Sequence, residues 1–181
     1  MGTTMNHTVK FCDQCGTPLE MKDRHGTLRP ICPNCGRVVY FDPKVAVVVF
    51  ILHAAKVLLI QRGIDPGKGL WALPAGFVEA EEPPSDAAVR ETLEETGLQV
   101  RVTHLLDVYP KRDNGLANIV IAYAAEIIGG KLEAADDADK AGWFDKEAIP
   151  PLAFYPSKTL IARWQRGELD DLAPFSKSDA T

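Results

Sequence analysis

Residues 76–98 read Gly76-Phe77-Val78-Glu79-Ala80-Glu81-Glu82-Pro83-Pro84-Ser85-Asp86-Ala87-Ala88-Val89-Arg90-Glu91-Thr92-Leu93-Glu94-Glu95-Thr96-Gly97-Leu98, and this stretch decides the fold. A helix is expected to begin after Pro83-Pro84, with Ser85 as N-cap and Asp86 in the first turn, and to stop at Gly97. At about 100° per residue, Val89, Thr92, Leu93 and Thr96 share one face, and Glu91, Glu94 and Glu95 crowd the opposite one. Like charges three and four positions apart repel by roughly 0.2–0.5 kcal/mol per pair, and the helix dipole disfavours acids in the last turn. No Lys or Arg follows four residues after any of the three. Such a cluster is either a plain solvated face or a seat for a cation. Oxygen-only donors suit a hard ion such as Mg²⁺ or Mn²⁺, and those ions suit phosphate chemistry.

The surrounding chain sharpens the contrast. From Glu79 to Gly97 seven acidic residues face the single basic Arg90, a local charge of −6, while the 181-residue chain carries −5 in all. A nearly neutral protein thus holds one concentrated anionic spot, and its overall charge argues against a nucleic-acid coat. With 46% apolar and 25% charged residues the composition is that of a soluble globular protein. The longest apolar run, Val45 to Leu52, is far short of the roughly 20 residues that cross a bilayer. Met1 to Lys10 lacks the apolar stretch of a secretory signal, so a reducing, cytoplasmic location is expected.

The spacing Gly76-x5-Glu82-x7-Arg90-Glu91-Thr92-x-Glu94-Glu95-x-Gly97-Leu98 resembles the box of the Nudix family, with Thr92 standing where an aliphatic is usual. The preceding Trp71-x-Leu73-Pro74-x-Gly76 is also similar to that family. The resemblance implies an α/β fold, a Nudix-type α/β/α sandwich with a mixed sheet, and hydrolysis of a nucleoside-linked diphosphate. It implies that Glu91, Glu94, Glu95 and Glu82 hold Mg²⁺ or Mn²⁺, with the Gly76 carbonyl as an extra ligand. Arg90 is then expected to pair with a box glutamate and fix its rotamer. The general base is expected among Glu94, Glu95 and an acid of the loop Asp136-Asp137-Ala138-Asp139, where Asp137 matches a position at which the family often places a loop glutamate.

Four cysteines, Cys12-Asp-Gln-Cys15-Gly16 and Cys32-Pro-Asn-Cys35-Gly36, stand in the first 35 residues. Two CxxC knuckles at this spacing read as a closed, structural Zn²⁺ site, against the alternatives of disulfides or a redox pair. A segment this short has too little core to fold unaided, and zinc supplies the missing free energy. The expected domains are therefore a zinc ribbon over 1–41 and a catalytic domain over 42–181. With its zinc the ribbon is close to neutral, so a scaffold or dimerisation role is preferred to nucleic-acid binding, and the apolar first strands are a candidate homodimer surface.

Strands are expected over Val45–Ala54, Val57–Gln61, Val100–Val108, Asn118–Ile128 and Trp143–Phe144, with a turn near Ala55-Lys56 and a last helix over Pro156–Arg166. A four-cysteine ribbon before this box resembles the NADH pyrophosphatase group and, more closely, the FAD-type group. NADH pyrophosphatases carry a Ser-Gln-Pro-Trp-Pro-Phe-Pro-like stretch after the box, which Gln99 to Lys111 lacks, whereas Leu152-Ala153-Phe154 is similar to a segment of the FAD-type group. FAD or ADP-ribose is accordingly the expected substrate, with NADH or an RNA cap as alternatives. Phe154 and Tyr155 are candidates for stacking on adenine or flavin, and Arg62 for contacting phosphate. A different class of reading is a non-catalytic nucleotide sensor whose ribbon binds nucleic acid.

Overall fold

The computed structural model describes residues 9–110 and 118–170; the outer ends of both expected domains lie outside the described residues. The chain divides into two compact units between Asp42 and Pro43.

In the first unit, strands β1 (Glu20–Arg24) and β2 (Thr27–Ile31) form an antiparallel hairpin closed by His25-Gly26, both at positive φ, as a two-residue hairpin turn requires. The register sets Lys22 opposite Arg29 and Arg24 opposite Thr27. Among the described residues of this unit only Cys12, Pro30 and Cys32 are buried. Hydrophobic burial alone therefore leaves this unit without a core.

The second unit is built around β3 (Val45–His53), which is apolar at nearly every position because both of its faces are covered. Val48, Phe50 and Leu52 pack with Leu160, Ile161 and Trp164 of α2 (Tyr155–Gln165), whereas Val47, Val49 and Ile51 pack with Ala87 and Ala88 of α1 (Pro84–Thr96). This is the expected α/β/α sandwich. β3 runs parallel to β8 (Ile119–Gly130), which in turn pairs antiparallel with the edge strand β7 (Leu98–Pro110), so the sheet is mixed. On its other side β3 meets β4 (Lys56–Arg62) only at the hairpin end, through Leu52↔Val57 and His53↔Lys56. The strands then diverge. Segment 71–77 fills the gap, with β5 (Trp71–Ala72) pairing with β4 and β6 (Ala75–Phe77) pairing with β3. β9 (Ala138–Phe144) lies along the far side of β4.

Several sequence expectations shift. The β3–β4 turn is Ala54-Ala55, at φ 49° and 61°, and Lys56 already belongs to the strand. Helix α1 starts at Pro84 after an extended Pro83, and Ser85 makes no cap; its hydroxyl donates to Asp86 instead. A proline in the first turn has no N–H to satisfy and arrives with helical φ, which removes the need for a side-chain cap. The ninth strand begins at Ala138, five residues before Trp143. β3 and most of β4 are buried, so these first strands do not offer the homodimer surface read from their apolar character. No helix among the described residues is long and apolar enough to cross a membrane.

Candidate active site and zinc centre

The inward face of α1 keeps Val89, Thr92 and Thr96 of the expected one but is rotated so that Leu93 leaves it and Glu95 joins it. Ala87, Ala88, Thr92, Glu95 and Thr96 are buried, while Leu93 is 44% exposed. Glu95 is thus among the least accessible residues of the helix, at 3% exposure, and its Oε2 accepts the Ala75 N–H at 2.9 Å. β6 pairs with β3 along one edge only, and the Ala75 N–H is taken by the Glu95 carboxylate instead of by a neighbouring strand. Thr92 and Thr96 satisfy their own hydroxyls on the carbonyls of Ala88 and Thr92, which lets them replace aliphatics without orphaning a polar group.

Gly76 lies opposite Val47 in this ladder and directly against Glu91. A Cβ placed on Gly76 falls 1.9 Å from the Glu91 carboxyl carbon and 2.1 Å from both of its oxygens. Only a glycine leaves that carboxylate its position.

Arg90 is the hub of the outer part of the box. Its Nε and Nη2 donate to the two oxygens of Glu82, each at 2.9 Å; Nη1 donates to Glu91 at 2.8 Å and to Glu94 at 3.0 Å; Nη2 also reaches the Phe77 carbonyl at 3.0 Å. The guanidinium holds Glu82 below the usual carboxylate range. Glu94 is the most open of the four glutamates that Arg90 and β6 touch, its side chain 46% exposed. The crowding read from the sequence is therefore relieved on its outer side by Arg90, which precedes the acids rather than following them.

The inner side is not relieved. Burial pushes the Glu95 carboxyl up to about 8, with Glu91 and Asp137 adding to the rise and the Ala75 N–H and Arg62 opposing it. Burial likewise raises Glu91, and Asp136 contributes. Both aspartates arrive on the segment between β8 and β9, which is tied to the open C-terminal carbonyls of α1: Glu133 N–H donates to Thr96 and Ala135 N–H to Glu95. Its other end is fixed where Gly63 N–H donates to the Asp137 carbonyl. Asp136, at φ 52°, is the acid whose field acts on Glu91, and the sequence offered no cue that separated it from Asp137.

Arg62 ends β4. Its Nε donates to the Pro66 carbonyl at 2.8 Å and its guanidinium carbon lies 4.8 Å from the Phe154 ring centre. Phe154 thus presents a face to a cation, and Tyr155 packs into the core against Tyr109, ring centres 5.8 Å apart. The structure brings Gly76, Glu82, Arg90, Glu91, Glu94 and Glu95 together; Arg62 and Asp137 act electrostatically on Glu95.

In the first unit, Cys12, Cys15, Cys32 and Cys35 bring their sulfurs within 4.8 Å of one another, the one such cluster of His, Cys, Asp or Glu among the described residues. Sulfur separations of 3.5–3.7 Å match the edge of a tetrahedron with zinc–sulfur bonds of about 2.3 Å and are far too long for a disulfide. The two knuckles repeat each other: Gly16 and Gly36, at φ 70° and 74°, donate back to the carbonyls of Cys12 and Cys32. The thiol set and its geometry fit zinc.

Known proteins show the same division. The NUDIX domain family matches residues 42–165 and the Nudix N-terminal family, a zinc ribbon, matches residues 10–41. The ADP-ribose pyrophosphatase of Methanocaldococcus jannaschii is 45% identical over 133 residues, covering 71% of this chain and 79% of that protein. The NAD-capped RNA hydrolase NudC of Chromobacterium violaceum is 33% identical over 149 residues, 81% of this chain but 54% of its own length. The chain therefore spans about half of that relative. Among solved structures, a NUDIX hydrolase from Nitrosomonas europaea superposes with a TM-score of 0.81 at 30% identity, covering 92% of this chain and 96% of that one.

Proposed function

The chain belongs to the Nudix family, and we propose that its catalytic unit is a Mg²⁺- or Mn²⁺-dependent pyrophosphohydrolase that cleaves ADP-ribose, releasing AMP and a second phosphorylated product. The observation that carries this reading is the neighbouring carboxylates of buried Glu95, on the Ala75 N–H, and partly buried Glu91, against Gly76, both raised toward the neutral form by burial. A divalent ion is the partner that makes both charges tolerable. Bound there, it supplies charge neutralisation for the diphosphate and acidity to a coordinated water.

The chain's own residues do the rest. Glu91, Glu94 and Glu95 are the proposed metal ligands, with Glu82 and the Gly76 carbonyl assisting, and Arg90 fixes the rotamers of Glu82, Glu91 and Glu94. Glu94, the accessible carboxylate, and Asp137, on its fixed loop, are the candidates for taking the proton from the attacking water. Arg62, oriented by Pro66 and Phe154, is the proposed phosphate contact, and Phe154 is the proposed platform for the base, since Tyr155 packs into the core.

Turnover of ADP-ribose, FAD, NADH and NAD-capped RNA with each metal, read by product identity, tests the proposal. AMP from ADP-ribose is expected to form fastest; a protein with full zinc content that released no AMP from any of the four would end it. A second reading, removal of a nucleotide cap from RNA, is favoured by the 33% identity to NudC.

Gly76→Ala is a sharper probe of the site. The Glu91 carboxylate is a mobile side-chain end and can swing away, so the variant is expected to fold with a melting shift of only a few degrees. Displacing a ligand by more than 1 Å is expected to lower kcat/KM about 100-fold. Unchanged metal affinity in this variant, measured by calorimetry, would remove Glu91 from the ligand set.

A further inference from the structure

The near-neutral sum of the ribbon conceals a segregation of charge that its hairpin register creates. Residues paired across β1 and β2 point to the same face, and alternate residues to opposite faces. One face carries Glu20, Lys22 and Arg24 with Thr27, Arg29 and Ile31; the other carries Met21 and Asp23 with Leu28 and Pro30. Three of the unit's cations therefore share one side of a twelve-residue hairpin.

Lys22 and Arg29 stand directly opposite each other, an arrangement that disfavours a hairpin unless something anionic faces it. Glu20 relieves Lys22 at 2.9 Å. Arg29 stacks on Tyr40, its guanidinium carbon 4.7 Å from the ring centre. Arg24, exposed at the turn end, has no ion pair among the described residues. Asp23 and Asp13 do not neutralise this face: Asp23 projects to the other side, and Asp13 is held by Arg37 in the first knuckle. The −2 charge of four thiolates around one zinc belongs to the knuckles. Arg24 is four register pairs from the Ile31 end next to Cys32, roughly 13 Å at about 3.3 Å per residue, beyond a physiological screening length of about 8 Å.

Tyr40, 57% exposed, adds a flat ring already backed by a guanidinium. Cations that track a phosphodiester backbone beside an aromatic that accepts an unpaired base are the elements of single-strand recognition. A duplex hides its base faces and has no use for Tyr40. We propose that this hairpin face, Lys22, Arg24 and Arg29 with Tyr40, docks single-stranded RNA. The choice of RNA as occupant rests on the second reading above, in which the diphosphate belongs to an RNA cap.

The test is fluorescence anisotropy of the zinc-loaded full-length protein with a labelled, uncapped 12-nucleotide oligo(A) RNA between 50 and 200 mM KCl. Salt-dependent binding is expected, with the slope of log K against log salt falling by about 0.7 for each cation removed in Lys22→Ala, Arg24→Ala and Arg29→Ala. Tyr40→Ala is expected to weaken binding about tenfold and leave the slope unchanged. Zinc content and ADP-ribose turnover serve as folding controls; should Arg29→Ala lose zinc, the fully exposed Arg24→Ala alone decides. Binding by wild type that is absent, insensitive to Arg24→Ala, or as strong to an RNA duplex or to single-stranded DNA of the same sequence overturns the proposal. Because the RNA is uncapped, loss of binding and failure to hydrolyse NAD-capped RNA are separate results. Binding without cap hydrolysis refutes the cap reading alone, and cap hydrolysis without hairpin-dependent binding refutes the docking face alone.

Discussion

Stripping zinc from the protein is expected to unfold residues 10–41 while the catalytic unit keeps its structure. Among its described residues the first unit buries only Cys12, Pro30 and Cys32, and two of those three belong to the candidate zinc site. Its regular structure is one two-stranded hairpin, which is marginal by itself in water. Structural zinc in comparably small modules contributes roughly 10–16 kcal/mol of apparent binding free energy, all of it coupled to folding. The second unit owes nothing to that ion: two apolar clusters lie on the two faces of β3, each closed by its own helix. Amide hydrogen exchange before and after chelation measures this directly. Protection along Glu20–Arg24 and Thr27–Ile31 should vanish, four thiols should become reactive, and protection in β3 and β8 should persist. Cys32→Ser should reproduce the pattern without a chelator. Hairpin protection surviving in metal-free protein would show that the ribbon has another source of stability.

Much of this organisation is legible in the sequence because its determinants are local. A CxxC knuckle is four residues, the helix stop is a single glycine, and the spacing of the box places its acids within three turns. What the sequence could not show depends on partners far along the chain. Whether Leu93 or Glu95 faces inward is tied to the backbone of Ala75, twenty residues away, whose N–H has no strand beside it and takes the Glu95 carboxylate as its acceptor. Propensity favours the leucine, and the tertiary hydrogen bond prevails. Asp136 comes within the field of Glu91 because Glu133 and Ala135 cap the last carbonyls of α1, a pairing without a sequence signature. The charge of the ribbon was countable from composition; its partition onto two faces required the register.

Glu95→Gln is expected to abolish most activity and, in metal-free buffer, to stabilise the protein. The Glu95 carboxyl has a folded-state value of about 8, well above its value of about 4.5 in the unfolded chain. Between those values the folded state holds a proton that the unfolded state has released, so this carboxyl's contribution to stability is fully present below about pH 4.5 and is lost as pH rises toward 8. At 1.36 kcal/mol per unit the total is on the order of 5 kcal/mol for wild type without a divalent ion. Glutamine keeps the carbonyl oxygen that accepts the Ala75 N–H, and its amide can donate toward the neighbouring carboxylates of Glu91 and Asp137. It never ionises. The variant should therefore lack this part of the pH dependence and exceed the stability of the wild type at pH 8, by roughly 15 °C in melting temperature at about 3 °C per kcal/mol. Mg²⁺ or Mn²⁺ should erase the difference by raising the wild type. Glu94→Gln is the control: its side chain is 46% exposed, so no such gain is expected. Both variants should lose about 10³-fold in AMP release from ADP-ribose, roughly 4 kcal/mol of transition-state stabilisation. The stability arm and the activity arm fail independently. A metal-free Glu95→Gln protein that melts below wild type at pH 8 would mean that the buried carboxylate is already compensated within the chain, and that the site does not depend on an ion to make its charges tolerable.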